Sequence, residues 1–210
     1  MRAALLEGYR EGGPGAVGAA RLVELFEQHW EGRLCADSLE EEQLHRQGQE
    51  MLRKFTAAHE AETARTVALD LRMEADLGPH RFVAVADRVV EEPEEAAPLT
   101  LLRYKTTRQI PGPGPLGKDL SLALLLLVGE AHFSREAQAA LYAVRAGRLV
   151  VAEISAAQRE VWREQLTVQA TAIRRAHDYP TVVGRHCSVC RCRSLCPAWH
   201  PQKPPEEEAE

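Results

Sequence analysis

"LTLLRYKTT" (99–107) organises the reading of this chain. Its leucines suit a buried β-strand, and the strand ends on a charged triplet, Arg103-Tyr104-Lys105, followed by two threonines. Upstream, "TVALDLRMEADL" (66–77) alternates apolar and polar residues, and "RFVAVADRVV" (81–90) follows the turn "LGPH". The acidic turn "EEPEEAAP" then leads into 99–107, so the three runs predict an antiparallel meander.

The flanks read as helices. Residues 2–10 and 17–30 are separated by the breaker "GGPG", and 39–59 form a longer helix with Leu44, Met51, Leu52 and Phe55 on one stripe. Ser38 and Glu41 have the spacing of a capping box. After the strands, the loop "IPGPGPLG" (110–117) breaks the pattern and a Leu-rich helix spans about 119–129. Two more strands follow in "AALYAVRAG" (139–147) and "RLVVAEIS" (148–155), with Gly147 at their turn. Ser155 caps a helix over 156–177 whose apolar side carries Val161, Leu166, Ile173 and Ala176. Trp30, Trp162 and Tyr142 read as core or rim aromatics. The expectation is one mixed α/β domain over 1–200 that includes a Cys-rich knot at 186–197, then a disordered acidic tail at 201–210.

At 210 residues the chain is long enough for a substantial core, and 45% hydrophobic with 27% charged residues is ordinary for a globular protein. The longest apolar run, "LALLLLV" (122–128), is too short to span a membrane and reads as a core helix; the expected location is the cytoplasm. Net charge is −5, of which the tail "PPEEEAE" supplies four acids. A globally basic nucleic-acid binder is thereby excluded, but a local basic surface is not. Residues 171–203 carry Arg174, Arg175, Arg185, Arg191, Arg193 and Lys203 against one acid, Asp178.

Four of the five cysteines fall within ten residues, in "HCSVCRCRSLCPAWH" (186–200). Cys187-x2-Cys190-x5-Cys196, with Cys192 inside, places soft thiolates within reach of one centre, and such donors select zinc or an iron–sulfur cluster. Three readings stand: a 4Fe–4S cluster, a structural zinc completed by Cys192 or His200, and reduced surface thiols. The last would be an oxidation liability.

In this order the segments resemble the RecB-like branch of the PD-(D/E)XK nuclease superfamily, above all its iron–sulfur members, such as the AddB type and some CRISPR-associated nucleases. The resemblance runs from about residue 2 to 198. "HRQGQEMLRKFTAAH" (45–59) is similar to the helix leading to the sheet and "FVAVADRVVEEP" (82–93) to a G-x-x-D-R-[IV]-D segment. "LLRYKTTRQ" (101–109) is similar to a D-Y-K-T-G segment, "ALYAVRAGRLVVAEIS" (140–155) to a late hairpin, and "HCSVCRCRSLCPA" (186–198) to a C-x2-C-x5-C-P closure. The resemblance implies a restriction-endonuclease-like core sheet flanked by helices, and Mg²⁺- or Mn²⁺-dependent hydrolysis of DNA. Hard cations need oxygen ligands, here carboxylates on adjacent strands.

Carried over residue by residue, Asp87 matches the acid of the D-R segment, Asp70 the acid of the preceding strand and Lys105 the lysine. Arg103 stands where the second motif acid belongs, and an arginine cannot ligate a cation. It is expected to pair with Asp87 or Asp70 and take the metal's place. The first helix, "MRAALLEGYREG", lacks the family's histidine. In the helix after the D-x-K strand, Ser121 and Leu125 replace its Gln and Tyr; Gln138 and Tyr142 have that spacing but fall too late. The cluster ligands would be Cys187, Cys190 and Cys196, with Cys192 preferred over Cys35 as a fourth, or no fourth at all. The chain begins at the histidine helix, so a start upstream of Met1 is expected to supply both missing features.

The implied function is a degenerate nuclease domain that binds DNA through a basic surface including Arg174, Arg175 and Arg185, or serves as a scaffold beside a helicase or nuclease subunit in DNA repair or recombination. The alternatives are an active Mg²⁺-dependent DNA exonuclease, with Mg²⁺ or Mn²⁺ bound only in that case, and a zinc-stabilised protein-interaction module.

Overall fold

A computed structural model of the protein describes residues 1–199, apart from 33, 34, 36, 95, 96, 108, 109, 179 and 191. The acidic tail 201–210 therefore lies outside the described residues. The chain divides into two compact units, Met1–Ala170 and Thr171–Glu210.

In the first unit, β1 (Arg65–Leu77), β2 (His80–Glu91), β3 (Leu99–Lys105), β4 (Ala137–Ala143) and β5 (Arg148–Val151) form one sheet in chain order. The expected meander is present: β1–β2 and β2–β3 pair antiparallel. β4 then joins β3 in parallel, Leu101 opposite Ala139 and Lys105 opposite Ala143, and β5 closes an antiparallel hairpin on β4. A parallel pair cannot be joined by a tight turn, so the connection crosses over through α4 (Pro113–Leu116) and α5 (Leu120–Phe133).

Helices cover both sheet faces. On one, Leu5 of α1 (Arg2–Arg10), Leu22 and Leu25 of α2 (Pro14–Gln28), and Leu52 and Phe55 of α3 (Ser38–His59) pack with Val90, Leu102 and Tyr142. On the other, Leu125, Leu126 and Val128 of α5 pack with Met73, Val89, Leu101 and Leu141. A strand covered on both faces needs apolar residues on both, which is why "LTLL" carries leucines on successive positions. α5 comes so close to β3 that a Cβ on Gly129 would stand 2.1 Å from Leu101 Cδ1. Asp119 caps α5 through the N–H groups of Ser121 and Leu122, and Ser134 ends it in left-handed backbone.

Several boundaries differ from expectation. The N-cap of α3 is Asp37, whose carboxylate accepts from Glu40 N at 2.8 Å, and not Ser38. α2 begins at Pro14, pre-set for a first helical turn, and is interrupted at Gly18 (φ 71°). The cap expected at Ser155 does form, and as a capping box: Ser155 Oγ accepts from Gln158 N and Ser155 N donates to Gln158 Oε1. α6 (Ala156–Arg175) departs most from its pattern, because Leu166 is its one buried residue and Val161 and Ile173 are exposed. Of the aromatics, Tyr142 is core, Trp30 is partly buried, and Trp162 is partly buried with its indole N–H donating to Gly117 O.

Candidate functional site

The site starts from the register of β1 on β2. Leu69 pairs with Arg88 and Leu71 with Ala86, which sets Asp70 opposite Asp87. Asp70 has φ 50°, a left-handed conformation that Asp tolerates better than most residues, inside a strand that runs on to Leu77. The Asp87 side chain is almost fully buried (2% exposed), whereas that of Asp70 is 44% exposed. Two carboxylates on adjacent strands repel each other and need a cation between them.

That cation is Arg2. Its Nε donates to Asp87 Oδ1 at 2.6 Å and its Nη2 donates to Asp70 Oδ1. One guanidinium therefore bridges both acids, in the manner of a charge-assisted fork. Burial alone would lower the Arg2 pKa, but its hydrogen bonds to Asp87 and Asp70 outweigh that and raise it, so the bridge carries its charge at every physiological pH. The second Asp87 oxygen accepts from the backbone N–H of Tyr104 at 2.6 Å, tying β2 to the charged end of β3.

Arg103 holds a subordinate place. Its Nε stands 3.7 Å from Asp87 Oδ2, an ion pair beyond hydrogen-bond distance, and that nitrogen is buried with no hydrogen-bond partner among the described residues. The expected pairing of Arg103 with Asp87 is therefore present as the longer contact, and the arginine that bridges both acids is Arg2. Among candidate positions, the sequence reading passed over Arg2. The available signal was the first helix, which lacks the family's histidine but begins with an arginine. Lys105 ends β3, exposed, close enough to Asp119 for its charge to help lower that carboxyl's pKa, though burial opposes the shift and hydrogen bonds from Ser121 and Leu122 do more of the lowering. A cavity of about 350 Å³ lies here, lined by Met1, Arg2, Tyr104, Lys105, Thr106, Thr107 and Val144.

This donor set does not suit a divalent metal. Both carboxylates are engaged by Arg2, and a second guanidinium stands within 4 Å of the buried one. At that distance two unit charges interact by roughly 4 kcal/mol at an effective dielectric of about 20, and a dication would meet about twice that repulsion from each arginine.

In the second unit, Arg174 and Arg175 end α6, exposed, and Arg185 opens a 3-10 turn (Arg185–Val189), also exposed. Another turn, Arg193–Leu195, leads into Cys196. Cys187 and Cys196 are partly buried, Cys190 and Cys192 exposed, and all are free thiols. The N–H of Gly184 donates to Cys187 Sγ at 3.4 Å. Among the described residues no group of three or more His, Cys, Asp or Glu side chains is gathered as metal ligands. His200, Arg191 and Lys203 lie outside the described residues. Cys35, in the first unit, lines a second cavity with Phe26, Trp30 and Met51, which shares Met1 and Thr106 with the first.

Among the described residues no helix is long and apolar enough to cross a membrane. No curated protein matched the chain in sequence comparison. The family model of the PD-(D/E)XK nuclease superfamily matches residues 3–197, nearly the whole span in which the mixed sheet, the two facing acids and the closing cysteines occur. The chain belongs to the PD-(D/E)XK nuclease superfamily.

Proposed function

We propose that this chain is a RecB-like member whose nuclease centre is degenerate and which binds DNA without cleaving it, as a binding or scaffolding unit beside a helicase or nuclease subunit in DNA repair or recombination. One observation carries the reading: the guanidinium of Arg2 sits on both Asp70 and Asp87, the two acids that would hold a catalytic cation. Arg103, in place of a third carboxylate, adds a further positive charge at the same point. The exposed Arg174, Arg175 and Arg185 support contact with a polyanion, and binding through them is weak and strongly salt-dependent.

The test is a cleavage assay on linear DNA with Mg²⁺ or Mn²⁺, paired with a Mn²⁺-binding measurement. The wild type is expected to cleave nothing. Arg103→Asp restores the acid–x–Lys pattern but leaves Arg2 in place, so it gains little Mn²⁺ affinity; Arg2→Ala with Arg103→Asp gains clearly more. Cleavage by the wild type that vanishes on Asp87→Ala would overturn the proposal in favour of an active exonuclease.

For the second unit we assign Cys187, Cys190 and Cys196, with Cys192 as fourth ligand, to a 4Fe–4S cluster. The support is the chemistry of the donors, four thiols within ten residues, and the amide N–H already directed at Cys187 Sγ. Such thiols stay reduced in the cytoplasm, where we place the protein. Protein purified without oxygen should contain iron and sulfide; stoichiometric zinc without iron would replace the cluster by a structural zinc.

A further inference from the structure

We propose that Arg2 does more than block the metal: it stands in for it as the cation that holds a DNA phosphodiester, together with Lys105. The inference rests on the DNA-binding reading above and names the group through which that binding reaches the old active centre.

The charges support it. Arg2 and Arg103 face Asp70 and Asp87, and Lys105 adds a third positive charge, with Asp119 near it but not lining the cavity. The cavity beside them is lined by Arg2, Lys105, Thr106 and Thr107, and none of its lining residues is acidic. Among largely apolar neighbours (Met1, Tyr104 and Val144), the charged groups it presents are the cations of Arg2 and Lys105, which suits an oxyanion and repels a metal ion. Geometry supports it too. A guanidinium has five N–H donors, and the two acids use Nε and one donor of Nη2. Among the described residues the remaining donors have no other acceptor, and the side chain is 45% exposed. Held by two carboxylates on two strands, the guanidinium is pre-oriented, as a metal held by the same acids would be, and its planar fork matches phosphate oxygens. Lys105, on the exposed end of β3, adds a point charge on the same cavity. Unlike a metal, this arrangement lowers the pKa of no water, so it binds a phosphodiester and leaves it intact.

The consequence is DNA binding that needs no divalent ion. A fluorescent single-stranded oligonucleotide and its duplex would be titrated with the full chain at low salt, in EDTA and in Mn²⁺. Wild-type affinity should be the same in both. In EDTA, Arg2→Ala should bind about tenfold more weakly, as expected for loss of one charge-assisted contact. Added Mn²⁺ should restore that variant in part and not affect the wild type, because the variant releases Asp70 and leaves Asp87 with Arg103 alone, at 3.7 Å. Lys105→Ala, which removes an exposed side chain, should weaken binding without Mn²⁺ rescue and flatten the salt dependence of single-strand binding by about 0.7 in log–log slope. Wild-type binding that disappears in EDTA would overturn the inference, as would both variants binding like the wild type; either leaves the DNA-binding reading standing. Inorganic phosphate competing as well as the oligonucleotide would overturn it by reassigning the cavity to free phosphate. No DNA binding at any salt removes both the inference and the reading beneath it.

Discussion

Asp87 and Arg88 are neighbours on β2, and both side chains are almost fully buried, at 2% and 3% exposure. Their surroundings differ in kind. Arg88 donates to Glu62 at 2.8 Å and to Thr66 at 2.9 Å, and its guanidinium lies 3.8 Å from the centre of the Tyr9 ring. Tyr9 in turn donates to Glu62 at 2.9 Å, so the network closes on itself. Asp87 instead meets a cation that is half in water and shared with the exposed Asp70. A closed network spends its hydrogen-bonding capacity internally and holds the fold together. A buried charge whose partner faces solvent is poised to exchange that partner for something from solution. Sequence adjacency thus joins a structural charge to one available for binding.

The comparison breaks most visibly at Arg88. Arg88→Met leaves Glu62 without its cation and Tyr9 without its stacking partner, and should cost about 3–5 kcal/mol in urea unfolding. Asp87→Ala should cost less, about 1–3 kcal/mol, chiefly from the unpaired N–H of Tyr104, since Arg2 keeps Asp70 and can turn to water. If the two costs prove equal, the distinction between closed and open partners is wrong.

A pH series sharpens the contrast between the sheet's interior and its edge. Tyr104 keeps part of its ring accessible but buries its hydroxyl, and Tyr142 is buried whole; neither hydroxyl has a hydrogen-bond partner among the described residues. Burial pushes both pKa values up to about 12, from an ordinary value near 10. Because the folded pKa is the higher, each contributes stability that is complete below pH about 10 and is lost as pH rises through about 12. Alkaline unfolding should therefore fall in that window and bring tyrosinate absorbance with it. Tyrosinate appearing earlier, with the fold intact, would contradict this burial. The smallest effect is at neutral pH: Tyr142→Phe removes an unpaired buried hydroxyl and should leave stability within about 0.5 kcal/mol of wild type, or slightly above it.

Much of the fold was legible because it rests on local patterns. The period-2 runs at 66–77 and 81–90 became β1 and β2 within one residue or so at each end, and the uniform leucines of 122–128 became the helix buried under the sheet. The hairpin at Gly147 followed from a residue that adopts φ 60° without strain. Errors came where neighbours in space overrule such patterns. Val161 and Ile173 have helical apolar spacing, but spacing cannot tell whether anything covers that side, and both are exposed. At the start of α3 two adjacent residues, Asp37 and Ser38, both suit an N-cap, and the carboxylate won.

The site divides along the same line. By itself the sequence determined the superfamily, and it put forward Asp70, Asp87, Lys105 and Arg103 as site candidates, because these are bound to strand motifs of fixed spacing. The choice of which arginine sits on the acids was tertiary. Arg103 is sixteen positions from Asp87 and on the adjoining strand, yet its position on β3 leaves its Nε 3.7 Å away. Arg2 is 85 residues from Asp87, and only the packing of α1 against the sheet, through Ala4 and Leu5, brings its guanidinium within 2.6 Å. A strand motif places residues relative to one another along a ladder. A side chain from a distant helix is placed by the core that seats the helix, and no spacing in the sequence records that.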